Sequence, residues 1–235
     1  MKISFLLLLA FFALPAAAQN TPATAQLPSG KLPAQVPDYC RWVVSYQYQK
    51  TASPSPAARP SPGKPDPSDK RIARISVVKT EKIVSQCTEW MSGQRSESWL
   101  VNKFLFERNP ASREFSSTLA DHRDVGFEPV QTGDFPEFSW IQATNFKGQE
   151  LWQGRRVLLF QKENSATSNG SSSTTALIDA ENRLPVLFQT GEERRLYEFS
   201  ILPKAIQPLP PEINACIEKQ NASIRRLLAP SARPF

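Results

Sequence analysis

The chain has 235 residues, 40% of them hydrophobic, and its 28 lysines and arginines against 22 aspartates and glutamates give a formal charge of +6. The length allows one large domain or two small ones. The charge is mild, and basic residues are interleaved with acids, a distribution typical of solvated surface. This balance is compatible with docking on an anionic lipid or polymer and does not indicate nucleic-acid binding.

The first segment, residues 1–18, has the composition of a secretory signal peptide. Lys2 precedes the apolar run Phe5–Leu14, and Ala16–Ala18 provides small residues for a peptidase. Ten apolar residues are too few to span a bilayer as a helix. We therefore expect cleavage after Ala18 and an exported protein, periplasmic or extracellular, without a transmembrane anchor.

The three cysteines are Cys40, Cys87 and Cys216. An oxidising exported compartment permits one disulfide and leaves one thiol. Cys40 and Cys87 both lie in strand-like segments and are the candidate pair, while pairings with Cys216 stay open. No CxxC occurs, and a single histidine makes a Cys/His zinc site hard to assemble, so the sequence indicates no metal and no cofactor.

Composition divides the exported chain into a leader, a domain and a tail. Residues 19–37 are rich in proline without periodicity and predict a disordered leader, followed by one β-rich domain over 38–229 and a tail over 230–235. Inside the domain, residues 51–70 hold six prolines, which prevent a strand ladder or a helix. This insertion is either a binding arm or, as we favour, a disordered loop.

The first strand signal is "CRWVVSYQYQ", in which Trp42, Val44 and Tyr46 point to one side. Period-two alternation of this kind predicts a half-buried strand. Two meanders follow, and their strand-like segments are "RIARISVVKT", "KIVSQCTEWM", "RSESWLV" and "FLFE", then "FKGQELWQ", "RRVLLFQKE", "TALIDA", "LPVLFQ" and "RRLYEFSI". Residues 108–134 between them read as irregular. Consecutive strands joined by tight turns predict an antiparallel sheet.

Two helices are predicted. A short one begins near Pro136, and its Phe138 would help to seal a core. A longer amphipathic one begins at Pro211, where the missing proline N–H would be unpaired in any case, and ends before Pro230. The predicted fold is mainly antiparallel β (α+β) with this C-terminal helix packed on the sheet.

Little in the sequence carries chemistry. The single histidine, His122, lies between Asp121 and Asp124, and a hydrolase using it remains a minor alternative because serines are abundant. No GxSxG, HExxH, P-loop or GxGxxG occurs. Asp179 lies at a turn, where aspartate normally serves turn geometry. We therefore expect no enzyme and name no catalytic residue.

Aromatic residues on the strands are the remaining candidates for a site. Large twisted sheets curl and enclose either side chains or a ligand, and an apolar concavity must be covered. The candidates for lining a ligand are Trp42, Tyr46, Trp99, Phe160, Phe188, Tyr197 and Phe199. Plain core is the commoner role of such residues.

One stretch resembles a known family. "IDAENRLPVLFQ" leads into "RRLYEFSILP", with Asp179 before the turn, Leu184-Pro185 opening the next strand and Tyr197-Glu198-Phe199 ending the last. This order resembles the periplasmic lipoprotein carriers and their relatives, the LolA-like fold. The resemblance implies a strongly curved incomplete barrel whose concavity is lidded by helices. The long N-terminal helix of that family is missing here, so the C-terminal helix is the expected lid.

The resemblance also implies a function. We expect a non-enzymatic binding protein of the cell envelope that buries an apolar ligand, such as a lipid or a lipoprotein acyl chain, in the curved sheet. The alternative is a protein–protein interaction or regulatory module of the envelope with a self-filled core. A fully packed concavity would favour the alternative.

Overall fold

The computed structural model describes residues 27, 29–49, 69–109, 113–119, 130–163, 173–204 and 209–228. The predicted signal peptide, the predicted tail and most of the proline-rich insertion lie outside these residues. Within the described part of the chain, no helix is both long and apolar enough to cross a membrane.

The described chain forms eleven strands, one α-helix and two short 3-10 helices. The strands are β1 (Cys40–Tyr48), β2 (Ile72–Lys79), β3 (Ile83–Trp90), β4 (Arg95–Val101), β5 (Phe104–Arg108), β6 (Phe115–Leu119), β7 (Phe146–Trp152), β8 (Arg155–Glu163), β9 (Ser173–Asp179), β10 (Pro185–Thr190) and β11 (Glu193–Ile201). The 3-10 helices are Pro136–Phe138 and Ala143–Asn145, and α1 is Pro211–Leu228. The mainly antiparallel β prediction is confirmed, with β6 added in the region that read as irregular.

All eleven strands belong to one sheet, in the order β6-β5-β4-β3-β2-β1-β11-β10-β9-β8-β7. The two meanders of the sequence are its two halves. Strand β1 joins them, because it pairs antiparallel with β2 on one side and with β11 on the other. Within the described residues the two end strands, β6 and β7, are not paired with each other. The sheet is thus the predicted incomplete barrel.

The sheet has two faces, which we name after one residue each. Side chains directly opposite each other in register share a face. The Trp42 face carries Trp42 between Val77 of β2 and Phe199 of β11. The Trp99 face is the other one, since Trp99 pairs with Ser85, which neighbours the Trp42-facing Gln86 along β3. The largest core cluster lies on the Trp42 face.

Helix α1 packs on the Trp99 face. Ile213 is fully buried there in a cluster with Val101 of β4 and Phe106 of β5. Further along the helix, the Gln220 amide donates a hydrogen bond to the Ser117 hydroxyl of β6 at 3.3 Å. The prediction that this helix packs on the sheet is confirmed, but the expectation that it lids the concavity is wrong, because it covers the opposite face.

Part of the predicted leader packs against the domain. Val36 is 1% exposed within the Trp42-face core, and its carbonyl accepts a hydrogen bond from the Lys79 ammonium at 2.9 Å. The Ala34 N–H donates to the Arg183 carbonyl at 2.9 Å, so this segment is also tied to the turn before β10. Residues 29–37 are therefore ordered by contacts that their proline-rich composition did not reveal.

The cysteines are free thiols, and the fold separates the candidate pair. Cys40 lies on the Trp42 face, whereas Cys87 pairs with Ser76 and faces the other way. Strand β2 also lies between them, which places their strands roughly 10 Å apart. A disulfide requires Cα atoms within about 7 Å. The predicted Cys40–Cys87 pairing is therefore incompatible with this sheet.

We predict that peptide mapping of the unreduced protein by mass spectrometry will find no Cys40–Cys87 link. Under native conditions a thiol reagent should modify Cys40 last, because it is 1% exposed and burial raises the pKa of its thiol. Modification in denaturant, where every thiol is accessible, provides the control. A linked peptide containing both residues would contradict the register of β1, β2 and β3.

Candidate functional site

The Trp42 face is filled by residues 130–141, which we call the plug segment. The Phe135 ring lies 6.3 Å from the Trp42 ring and 5.9 Å from the Phe199 ring, centroid to centroid. The Phe138 ring lies 5.6 Å from Phe188 and 5.5 Å from Tyr197. Most of these contacts are edge-to-face, the arrangement that aromatic quadrupoles favour. The plug segment thus completes the core that the sheet alone leaves open.

The backbone of the plug segment is shaped by two positions. Phe135 adopts φ +45° although it is not glycine, and it is 4% exposed. A left-handed conformation at a bulky residue costs on the order of 1–3 kcal/mol and persists only where packing enforces it. Gly133 has φ +95°, and a Cβ there would lie 2.8 Å from Val36. The segment therefore turns tightly between the leader and the aromatic core.

Beside the plug segment lies a cleft with a volume of about 550 Å³. It opens between the plug segment and the adjoining ends of β1, β2 and β11. Its lining residues are Tyr46, Tyr48, Lys70, Arg71, Ile72, Val130, Gln131, Thr132, Gly133, Asp134, Phe135, Pro136, Glu137, Glu193 and Arg195. The volume falls in the range of small-molecule sites, and the lining combines aromatic rings with charged groups of both signs.

Four planar side chains form one wall of this cleft. The Tyr46 and Tyr48 rings are stacked with centroids 6.5 Å apart. The Arg195 guanidinium lies 5.1 Å from the Tyr46 ring, and the Arg71 guanidinium lies 5.0 Å from the Tyr48 ring. Such cation–π contacts are stabilising and hold both arginines against the sheet. The register explains the arrangement, since Tyr46 pairs directly with Arg195.

A second network links the sheet to the plug segment. The Tyr197 hydroxyl donates to a Glu137 carboxylate oxygen at 2.5 Å, and the same oxygen lies 3.6 Å from the Arg195 guanidinium. Arg195 also donates to the Glu193 carboxylate. Burial, followed by the nearby Glu137 carboxylate, raises the pKa of Tyr197 well above its ordinary value. Glu137 is thus anchored from β11 by a phenol and a guanidinium.

At the outer end of the cleft, Arg71 is held by Asp69. The Arg71 Nε and Nη2 atoms donate to the two carboxylate oxygens at 3.0 and 2.6 Å, a bidentate arrangement. These hydrogen bonds lower the pKa of Asp69 to about 2. The Tyr48 hydroxyl donates to the Ile72 carbonyl at 3.0 Å. Both polar ends of the planar wall are therefore fixed by defined partners.

The predicted lining residues have three different locations. Tyr46 lines the cleft. Five others lie on the Trp42 face as core against the plug segment or neighbouring strands: Trp42, Phe160, Phe188, Tyr197 and Phe199. Trp99 is on the opposite face, in the cluster that α1 covers, so the register excludes it from the concavity.

The charged residues of the cleft were missed, although the sequence held a signal for two of them. Glu193 and Arg195 alternate with Tyr197 along "ERRLYEF", which places two charges on the side that faces the core. A charge at a position of inward periodicity is unusual and points to a partner or a ligand. Glu137 had no such signal, because its position depends on how the plug segment folds back.

The described residues offer no metal site and only one tested carboxylate role. No group of three or more histidine, cysteine, aspartate or glutamate side chains within them could hold a metal ion. Asp179 accepts hydrogen bonds from the Glu181 and Asn182 N–H groups at 2.8 and 3.1 Å, which is the predicted turn role. His122 lies outside the described residues, so the hydrolase alternative rests on the sequence alone.

Two solved structures are similar to this chain. The Mycobacterium tuberculosis lipoprotein LppX matches with 8% sequence identity and a TM-score of 0.38, over 72% of this chain and 87% of that one. A putative outer membrane lipoprotein-sorting protein domain from Vibrio parahaemolyticus matches with 8% identity and a TM-score of 0.28, over 77% and 91%. The second is the kind of protein that the strand motif resembles, and at 8% identity the likeness concerns the fold alone.

No protein-family model matches the chain, and no curated protein matches it.

We predict that Tyr197→Phe lowers the free energy of unfolding at pH 7 by about 1.5–3 kcal/mol, because a hydrogen bond to a carboxylate is lost. The deficit should shrink above pH 10. There the unfolded wild type loses the tyrosine proton while the folded state keeps it, since the folded pKa is raised. Denaturant unfolding between pH 7 and 11 measures both effects. Tyr39→Phe, outside this network, is the control, and a deficit that does not change with pH would contradict the assignment.

Proposed function

We propose that this chain is an exported, non-enzymatic binding protein of the cell envelope, and that the cleft beside the plug segment binds an amphiphilic, lipid-like ligand. The observation that carries this proposal is the cleft itself. It has about 550 Å³ of space, with aromatic rings and charges facing each other across it. A site of this composition accommodates a molecule with one apolar and one polar end.

The two ends of such a ligand have separate places. Apolar surface is supplied by Ile72, Val130 and Phe135, together with the ring edges of the stacked tyrosines. Each methylene buried there contributes about 0.8 kcal/mol. Polar contacts are supplied by Arg71, Arg195 and the carboxylates that hold them. Because these groups are already oriented by one another, little ordering is needed when a ligand binds.

The plug segment restricts where an acyl chain can lie. The centre of the Trp42 face is occupied by Phe135 and Phe138, and Trp42, Phe138 and Phe160 are fully buried there. A ligand in this structure therefore lies at the end of β1 and β11 rather than along the middle of the sheet. This differs from the expectation that acyl chains pack against the strand aromatics.

A second candidate function rests on that same filling. A concavity closed by its own plug segment is what we expect of an envelope interaction or regulatory module, in which the sheet serves as scaffold. The aromatic contacts of Phe135 with Trp42, Tyr197 and Phe199 favour it. The cleft distinguishes the two candidates, because an interaction module requires no small-molecule ligand there.

We predict that native mass spectrometry of the protein purified from its export compartment will show a co-purifying adduct with the mass of a lipid or other amphiphile. Gentle activation should remove the adduct, as expected for noncovalent binding. A protein that shows only its own mass, and stays unliganded after incubation with lipid micelles, would favour the interaction module.

A blocking variant tests the location of the ligand. Thr132→Trp places a large ring in the cleft and should reduce adduct abundance and lipid affinity at least tenfold, since the volume available to the ligand is lost. Thr144→Trp, on an exposed residue of the second 3-10 helix, is the matched control and should bind as the wild type does. Equal binding by both variants would exclude the cleft.

A further inference from the structure

The charged residues that line the cleft balance in number. Three are basic and three are acidic, namely Lys70, Arg71 and Arg195 against Asp134, Glu137 and Glu193. The whole chain, by contrast, has a formal charge of +6. A general attraction of anions by the chain is therefore not reproduced by the described lining of the cleft.

The charges nearest the aromatic wall are also paired before any ligand arrives. Arg195 donates to Glu193 and lies 3.6 Å from Glu137, and Arg71 binds Asp69 in a bidentate manner. A ligand with net charge would have to compete with one partner of such a pair and leave the other without compensation. An uncompensated charge in a partly buried site is costly.

We infer that the cleft selects a polar group without net charge, either a polyol or a zwitterion, and discriminates against anionic and cationic groups. The inference rests on the proposed function and narrows its ligand class. A polar group of this kind needs both donors and acceptors from the protein, and the cleft presents them side by side.

The geometry of the pairs shows how such a group would bind. Hydroxyl groups can donate to the carboxylates of Glu137 and Glu193 while accepting from the guanidinium of Arg195, so the ion pairs stay intact. A zwitterion satisfies the same partners, with its cation toward the carboxylates and its anion toward Arg71. In both cases the hydrogen bonds involve a charged protein partner, the stronger class.

A chain-matched series of amphiphiles tests this inference without any variant. The probes are dodecyl maltoside, dodecylphosphocholine, dodecyl phosphate and dodecyltrimethylammonium, each below its critical micelle concentration, with affinity measured by calorimetry. We expect at least one of the two neutral-headed probes to bind tenfold or more tightly than both charged probes, with little dependence on salt. The order of maltoside and phosphocholine then identifies a polyol or a zwitterion.

The failures of the inference and of the proposed function are distinguishable. If a charged probe binds as tightly as the neutral ones, or more tightly, the inference is wrong and the binding function stands. If no probe binds, the proposed function is wrong, and the inference fails with it.

Variants with altered charge test the role of the lining directly. Glu193→Gln gives the cleft a net positive charge and should improve the affinity for dodecyl phosphate relative to dodecyl maltoside by about tenfold. Glu198→Gln is the matched control, because it changes the chain's charge equally but lies exposed on the Trp99 face of the same strand.

Arg71→Gln should shift the preference toward dodecyltrimethylammonium instead. The Arg71 side chain is 59% exposed, so we expect this variant to fold, and it tests the inference if Glu193→Gln does not. Equal probe preferences in both folded variants and the control would overturn the inference.

Discussion

The pairing of β1 with β11 is the interaction on which the rest of the structure depends. It runs without interruption from Cys40 opposite Ile201 to Tyr48 opposite Glu193, and it joins two meanders that are otherwise local. Because these strands come from opposite ends of the domain, their loop-closure entropy is large and must be offset by long, well-packed pairing. The same register brings Tyr46 beside Arg195, so the seam between the two halves is also the wall of the cleft.

The seam also explains why charged residues are tolerated on a core-facing side. Arg195 lies between the Tyr46 and Phe188 rings, with Glu193 on its own strand and Glu137 delivered by the plug segment. Removing one partner would leave a charge without compensation, whereas the complete set has its charges opposed. Charged positions at the end of the seam therefore mark where core gives way to cleft.

Much of the fold could be predicted because its signals are local. Alternation located β1, the meanders gave antiparallel neighbours, and Pro211 is the residue at which α1 begins. The faces were harder, because register decides them: Trp99 and Cys87 have strand-like surroundings, but both face away from Trp42. The cleft was hardest, since Glu137 and Phe135 reach it through a plug segment whose course follows from tertiary contacts rather than from periodicity.

The plug segment connects the two candidate functions through one physical fact. An open curved sheet must cover its apolar concavity, and here Phe135 does so in a left-handed backbone conformation that only dense packing maintains. Filling the centre in this way removes the space for a long chain along the strands and leaves a smaller, charge-balanced space at their ends. The segment that makes the sheet stable as a scaffold is thus also the segment that determines the size and polarity of what can bind.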